Sequence, residues 1–183
     1  MDILGKTLIV SLFFSVYTQD VDIFEAVRQD NKKQIEAAIG KGVDINIIGQ
    51  AGQTPLMHAV LTGKLNAVKT LLKLGADTDI GEKDGYTPIH GAGFQGRAEI
   101  AKVLIDHGVD PLDEHDDGYM PIHRATWGKE KRHTDTVRVL LENGVPVDEP
   151  ADNGDKPMDS AKKFGNQGTI KLLNEWMSKK TEL

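Results

Sequence analysis

The chain contains no cysteine. That excludes a disulfide framework, a thiolate nucleophile and any zinc site built on sulfur. Long runs of Lys and Arg are also missing, and the formal net charge is −6. Phosphate backbones are held by clustered cations, so nucleic acid is not an expected partner. There is no glycine-rich phosphate loop and no local motif uniting Ser, His and Asp. Both gaps argue against an enzyme, and no cofactor or metal is expected. An Asn-x-Ser/Thr acceptor is missing too. Neither that nor the lack of cysteine assigns a compartment.

No apolar run is long enough to span a membrane, which takes roughly 20 residues. Leu8 to Tyr17 is a run of ten after Lys6, the length of a signal-peptide core. Residues 1–18 therefore read as a candidate signal peptide, with Val16 and Thr18 as tolerable small residues before a cut near Gln19. The alternative is a hydrophobic N-terminal segment packed on the body of the protein. The first reading sends the protein into the secretory pathway, and the second leaves it cytoplasmic.

What the chain does have is a period. Gly52-Gln-Thr-Pro55, Gly85-Tyr-Thr-Pro88, Gly118-Tyr-Met-Pro121 and Gly154-Asp-Lys-Pro157 place their prolines 33, 33 and 36 residues apart. Ala26, Ala59, Ala92, Ala125 and Ala161 keep the same register, as do Gly42, Gly75, Gly108 and Gly144. A repeat of this length marks a stacked array in which each unit buries its apolar face only against its neighbours. Thr54 and Thr87 precede a Pro, as an N-cap does before the first helical residue. The line of alanines suits two helices in close approach. A second helix comes next, with Leu65, Val68, Leu71 and Leu72 in one unit and Ile100, Val103 and Leu104 in the next. Gly75, Gly108 and Gly144 then supply left-handed C-caps.

Gly-Gln-Thr-Pro-Leu-Met-His-Ala (52–59), Gly-Tyr-Thr-Pro-Ile-His-Gly-Ala (85–92) and Gly-Tyr-Met-Pro-Ile-His-Arg-Ala (118–125) resemble the opening of an ankyrin repeat. Val-Lys-Thr-Leu-Leu-Lys-Leu-Gly-Ala-Asp (68–77) and Val-Arg-Val-Leu-Leu-Glu-Asn-Gly (137–144) resemble its second helix and exit. The resemblance covers roughly residues 20 to 178. It implies an all-α ankyrin solenoid of paired helices with β-hairpin-like finger loops. About five units are expected over residues 19–183, at about 19–51, 52–84, 85–117, 118–153 and 154–180, the first and last being degenerate caps. Asp22-Ile-Phe-Glu25 reads as a capping box opening the first unit. Met57 replaces the repeat histidine, with His58 one residue late. Met120 and Lys156 replace the N-cap Thr, and Asp159 replaces the histidine of the last unit.

His90 and His123 recur one period apart. Equivalent side chains in adjacent units sit about 8–10 Å from each other, too far to share a zinc with bonds near 2 Å. They read as struts that hydrogen-bond neighbouring loops. His107, His115 and His133, set among charged residues, read as solvent-exposed. The segment 128–134 holds the three extra residues and the basic cluster Lys129, Lys131 and Arg132, and reads as a solvated loop.

Eleven acidic residues fall in the expected fingers: Asp79, Glu82 and Asp84; Asp113, Glu114, Asp116 and Asp117; Asp148, Glu149, Asp152 and Asp155. Some serve the turns, but together they project a negative field along one edge. By resemblance, Leu61, Tyr86, Phe94, Tyr119 and Trp127 face the concave groove. The expected function is non-catalytic protein–protein interaction by a monomer. The partner, with a basic and apolar surface, meets Leu61, Tyr86, Phe94, Tyr119 and Trp127, and also Glu82, Asp113, Glu114 and Asp116. The alternatives are a structural spacer or scaffold without a specific partner, or a metal-assisted enzyme. For the N-terminal segment, sequencing of the mature protein should find a start near Gln19; a start at Met1 excludes cleavage.

Overall fold

The computed structural model describes residues 22–180, so the candidate signal peptide and the last three residues lie outside the described residues. Among the described residues there are ten α-helices and no strand, arranged as five helix–turn–helix pairs. They are α1 (Ile23–Arg28) with α2 (Lys32–Gly40), α3 (Pro55–Thr62) with α4 (Leu65–Lys73), α5 (Pro88–Gln95) with α6 (Ala98–Asp106), α7 (Pro121–Thr126) with α8 (Lys131–Glu142), and α9 (Pro157–Phe164) with α10 (Gln167–Lys180). First helices pack on first helices in chain order, and second helices on second helices, giving a two-layered stack.

The proline that starts the first helix of units two to five sets φ where no backbone donor is needed. Thr54 caps as expected, its Oγ1 accepting the Met57 N–H at 3.1 Å. Thr87 does not cap; its hydroxyl donates to Asp113 at 2.7 Å. Where Met120 and Lys156 replace threonine, the residue at the repeat-histidine position compensates. His123 Nδ1 accepts the Met120 N–H at 3.3 Å, and Asp159 accepts the Lys156 N–H at 3.1 Å. In the first unit Asp22 accepts the Phe24 N–H at 2.9 Å, while Glu25 binds Arg28 and Gln29.

Each of the first four second helices ends in the same two bonds. In the second unit the Ala76 N–H reaches the Leu71 carbonyl and the Gly75 N–H reaches that of Leu72. This is a Schellman ending, which needs a left-handed residue at the glycine; Gly75 has φ +88°. The four Gly-x-x-Pro glycines serve the fingers instead. In each finger one backbone N–H donates to the carbonyl four residues on, and the glycine N–H donates back: Glu82 to Tyr86 and Gly85 to Glu82, for example, at 3.0 and 2.8 Å.

The five register alanines are buried, where larger side chains would push the helices apart. Leu56, Ile89, Ile122, Leu71, Leu104 and Leu140 are fully buried, each contributing about 1.5–3 kcal/mol. The core falls into two apolar clusters, one spanning the first three units and one the last two, with Ile105 packed against both. Where units three and four meet, polar side chains are buried beside the apolar contacts of Ile105 and Val139. His90, His123, Arg124, Thr126, His133 and Thr136 are all buried.

Three expectations are corrected by this packing. His133 is buried, its ring Nε2 at 3.2 Å from the Phe94 carbonyl. His115 is stacked on Tyr86, with ring centres 3.8 Å apart. The segment 128–134 is not a solvated loop, because α8 begins at Lys131 and runs 12 residues against 9 for α4 and α6. The added residues extend a helix that already has a neighbour to pack on. Their charges are paired on the surface: Lys131 with Asp135, and Arg132 with Glu130.

Gly75 and Gly118 separate two costs of a side chain at positive φ. A Cβ on Gly75 would meet nothing, whereas one on Gly118 would lie 2.3 Å from the Asp152 Cβ. Gly75→Ala should lower stability by about 1–2 kcal/mol, the left-handed penalty alone. Gly118→Ala should lower it by more than Gly75→Ala, as read from urea midpoints.

Candidate functional site

First-helix residues Leu61, Gly91 and Phe94 and finger residues Glu82 and Tyr86 line one recess of the stack. Two register positions build its centre. His58, Gly91, Arg124 and Ser160 stand at one, six residues beyond the repeat glycine. Leu61, Phe94 and Trp127 stand at the other, six residues beyond the repeat proline. Gly91 on α5 contributes no side chain, and the next unit places a long cation at the equivalent point on α7. The space left over is a pocket of about 150 Å³, lined by Leu61, Glu82, Tyr86, His90, Gly91, Phe94, Arg124 and Trp127.

Arg124 organises the site, and only 3% of it is exposed. Its guanidinium carbon sits 4.7 Å from the centre of the Tyr86 ring, 5.1 Å from that of Tyr119 and 4.4 Å from that of Trp127. All three distances are within cation–π range. One guanidinium nitrogen donates to the Tyr86 hydroxyl at 3.0 Å and forms an ion pair with Asp117. Tyr86 donates its hydroxyl to the same carboxylate at 3.0 Å. Its ring is stacked on His115, whose Nδ1 is 2.9 Å from Asp117 and whose Nε2 meets the Asp84 carbonyl at 2.7 Å. Tyr119 is tied to the next finger, donating to Asp155 at 3.2 Å and accepting from Asn153 at 2.8 Å.

Burial pushes the Asp117 carboxyl up, but hydrogen bonds from Arg124, His115, the Tyr119 N–H and Tyr86 outweigh it. The carboxyl is held well below the ordinary carboxylate value of 3.8. For His58, His90, His123 and His133 burial is the dominant influence, keeping each imidazole neutral below its ordinary 6.5. The unfolded chain binds more protons than the folded one below that value. Their contribution to stability is therefore complete above 6.5 and declines as the pH falls toward their folded values.

The expected contact residues are placed unevenly. Phe94 is 52% exposed and touches Trp127 edge-on at 6.2 Å. Leu61, Tyr86, Tyr119 and Trp127 are half-buried, the last also packed on Phe164 at 5.3 Å. Glu114 and Asp116 are exposed, and Glu82 accepts from Gln53 at 3.2 Å. Asp113 is engaged inward by Thr87 and by His90, whose Nδ1 is 3.5 Å away. His90 and His123 are buried under the fingers. Arg124 was not among the expected residues. The signal for it was a long cation replacing glycine at one register position, three residues before Trp127 on the same helix face.

The family described as Ankyrin repeats (3 copies) matches at residues 23–115, half of the chain, and the chain belongs to the ankyrin repeat family. Comparison with curated proteins gives no match. Ankyrin repeats are in general modules of protein–protein interaction, and the helical stack is an ankyrin solenoid. Among the described residues no group of three His, Cys, Asp or Glu is placed to hold a metal ion, and no helix is long and apolar enough to cross a membrane.

Removing either partner of the Arg124–Asp117 pair strands a different group. Asp117→Asn leaves a buried guanidinium undercompensated, whereas Arg124→Met leaves a carboxylate whose side chain is 39% exposed to water. Asp117→Asn should cost about 1–3 kcal/mol after allowing for screening, and Arg124→Met less. Because the native Asp117 carboxyl is held low, the gap between wild type and Asp117→Asn should stay constant above pH 3.8 and narrow below it. Urea titrations across that range check both statements.

Proposed function

We propose that the protein binds a protein partner along its concave groove and acts without catalysis of its own. The observation that carries this reading is the exposed ring of Phe94 beside Leu61 and Trp127, in a recess whose other members are fixed. Isolated exposed apolar residues need no explanation, but an aromatic recess walled by a hydrogen-bonded network does. Arg124, Tyr86, His115 and Asp117 hold one another in place, so little side-chain entropy remains to be lost on association. Leu61, Phe94 and Trp127 form the apolar contact, with Tyr86 and Tyr119 supporting it. Glu82, Glu114 and Asp116 attract basic groups beside it, while Asp113 acts from behind through Thr87 and His90. The acidic fingers raise the rate of encounter with a basic surface, an effect that salt diminishes. On this reading the protein works as a monomer, in the secretory pathway if residues 1–18 are removed and in the cytoplasm if they are not.

Phe94→Ala is the cleanest test, because the ring has few internal contacts. Stability should change by no more than about 0.5 kcal/mol, while affinity for the protein recovered with the wild-type chain should fall by more than about fivefold. Unchanged affinity in a folded Phe94→Ala variant rejects the groove as the binding surface.

A further inference from the structure

The pocket beside Arg124 is selective in size and in charge. Its volume, about 150 Å³, equals that of an apolar cavity that accepts benzene, about 150 Å³. A nucleotide or coenzyme needs several times more room, so one side chain is the natural occupant. A Lys or Arg would meet the Arg124 guanidinium, which already occupies faces of Tyr86, Tyr119 and Trp127. An Asp or Glu would meet Glu82 on the finger wall and Asp117 behind Arg124. Each sign meets one like and one opposite charge at Arg124 and Glu82 while losing its hydration, so the occupant that gives up no charge hydration is a neutral apolar group. A ring suits the walls better than an alkyl chain. Phe94 and Trp127 offer edges and faces for the offset and edge-on contacts that rings prefer.

We infer that the pocket receives one uncharged aromatic side chain of the protein partner, with phenylalanine as the best fit. The inference rests on the groove-binding reading and narrows it: the basic residues of the partner belong at the fingers, and an uncharged ring belongs in the pocket. Gly91 is the residue that sets this specificity. A Cβ there would come within 3.1 Å of the Met57 Cε and 3.2 Å of a Leu61 methyl, closing the floor of the pocket.

The test titrates the full chain with N-acetyl-phenylalaninamide, N-acetyl-leucinamide and N-acetyl-lysinamide and follows the two indole N–H resonances by NMR. Trp176, packed on the far core cluster, serves as the internal control. The aromatic amide should shift the Trp127 resonance saturably and leave that of Trp176 in place. The leucine and lysine amides should bind about tenfold more weakly or not at all. Leu61→Trp, which fills the pocket from α3, should abolish the response, and Phe94→Ala should weaken it about tenfold without unfolding the chain. A lysine amide that binds as well as the aromatic one overturns the inference. So does an aromatic response that survives both substitutions, or silence from all three probes. If the probes are silent but partner affinity still depends on Phe94, the pocket assignment fails and the groove reading stands. If the aromatic amide binds as described but no partner affinity depends on Phe94, the groove reading fails while the pocket keeps its preference for an uncharged ring.

Discussion

A helix of six to nine residues is too short to be stable by itself in water, and a pair of them has only one side to bury. Every feature of this chain follows from the need to place the next pair at a fixed distance and angle. Alanines at one register position let first helices approach. Left-handed glycines end the first four second helices in the same two bonds. The finger glycines return the chain to the next proline. Stability in such an array accumulates from neighbour to neighbour, so a local defect at a seam has local consequences.

The seam between units three and four is built differently from the others. Small residues bring α5 and α7 together; a Cβ on Gly93 would lie 2.5 Å from the Pro121 carbonyl oxygen. Polar groups are then buried beside the apolar contacts of Ile105 and Val139. Further along, Asn166 continues the pattern, donating to the Gly128 carbonyl and accepting the Thr169 N–H at 3.0 Å.

The repeat was legible because its glycines, prolines and alanines answer to backbone geometry, which is local. The buried Leu and Ile positions of the second helices were legible for the same reason, since helical spacing decides which face is inward. The groove was harder. Its positions could be counted from the proline, but exposure depends on what lies opposite, and Arg124 lies opposite three of the aromatics. The same long-range pairing misled the reading of His115, which takes its environment from Tyr86, 29 residues earlier, and of His133, which sits against Phe94. The helical start at Lys131 was hidden because a run of charged residues after glycine looks like a loop until a neighbouring helix is there to receive it.

The central pocket takes Leu61 and Phe94 from one side of the polar seam and Arg124 and Trp127 from the other. It exists only while units three and four are stacked. Whatever occupies it is therefore a clamp across the seam, and occupancy and stacking are thermodynamically linked. An occupant favours the closed seam by RT ln(1 + [L]/Kd), and a change that opens the seam lowers the occupant's apparent affinity in proportion to the fraction of molecules left closed. A surface assembled from two cooperative halves in this way reports on the integrity of the array as well as recognising what fits it.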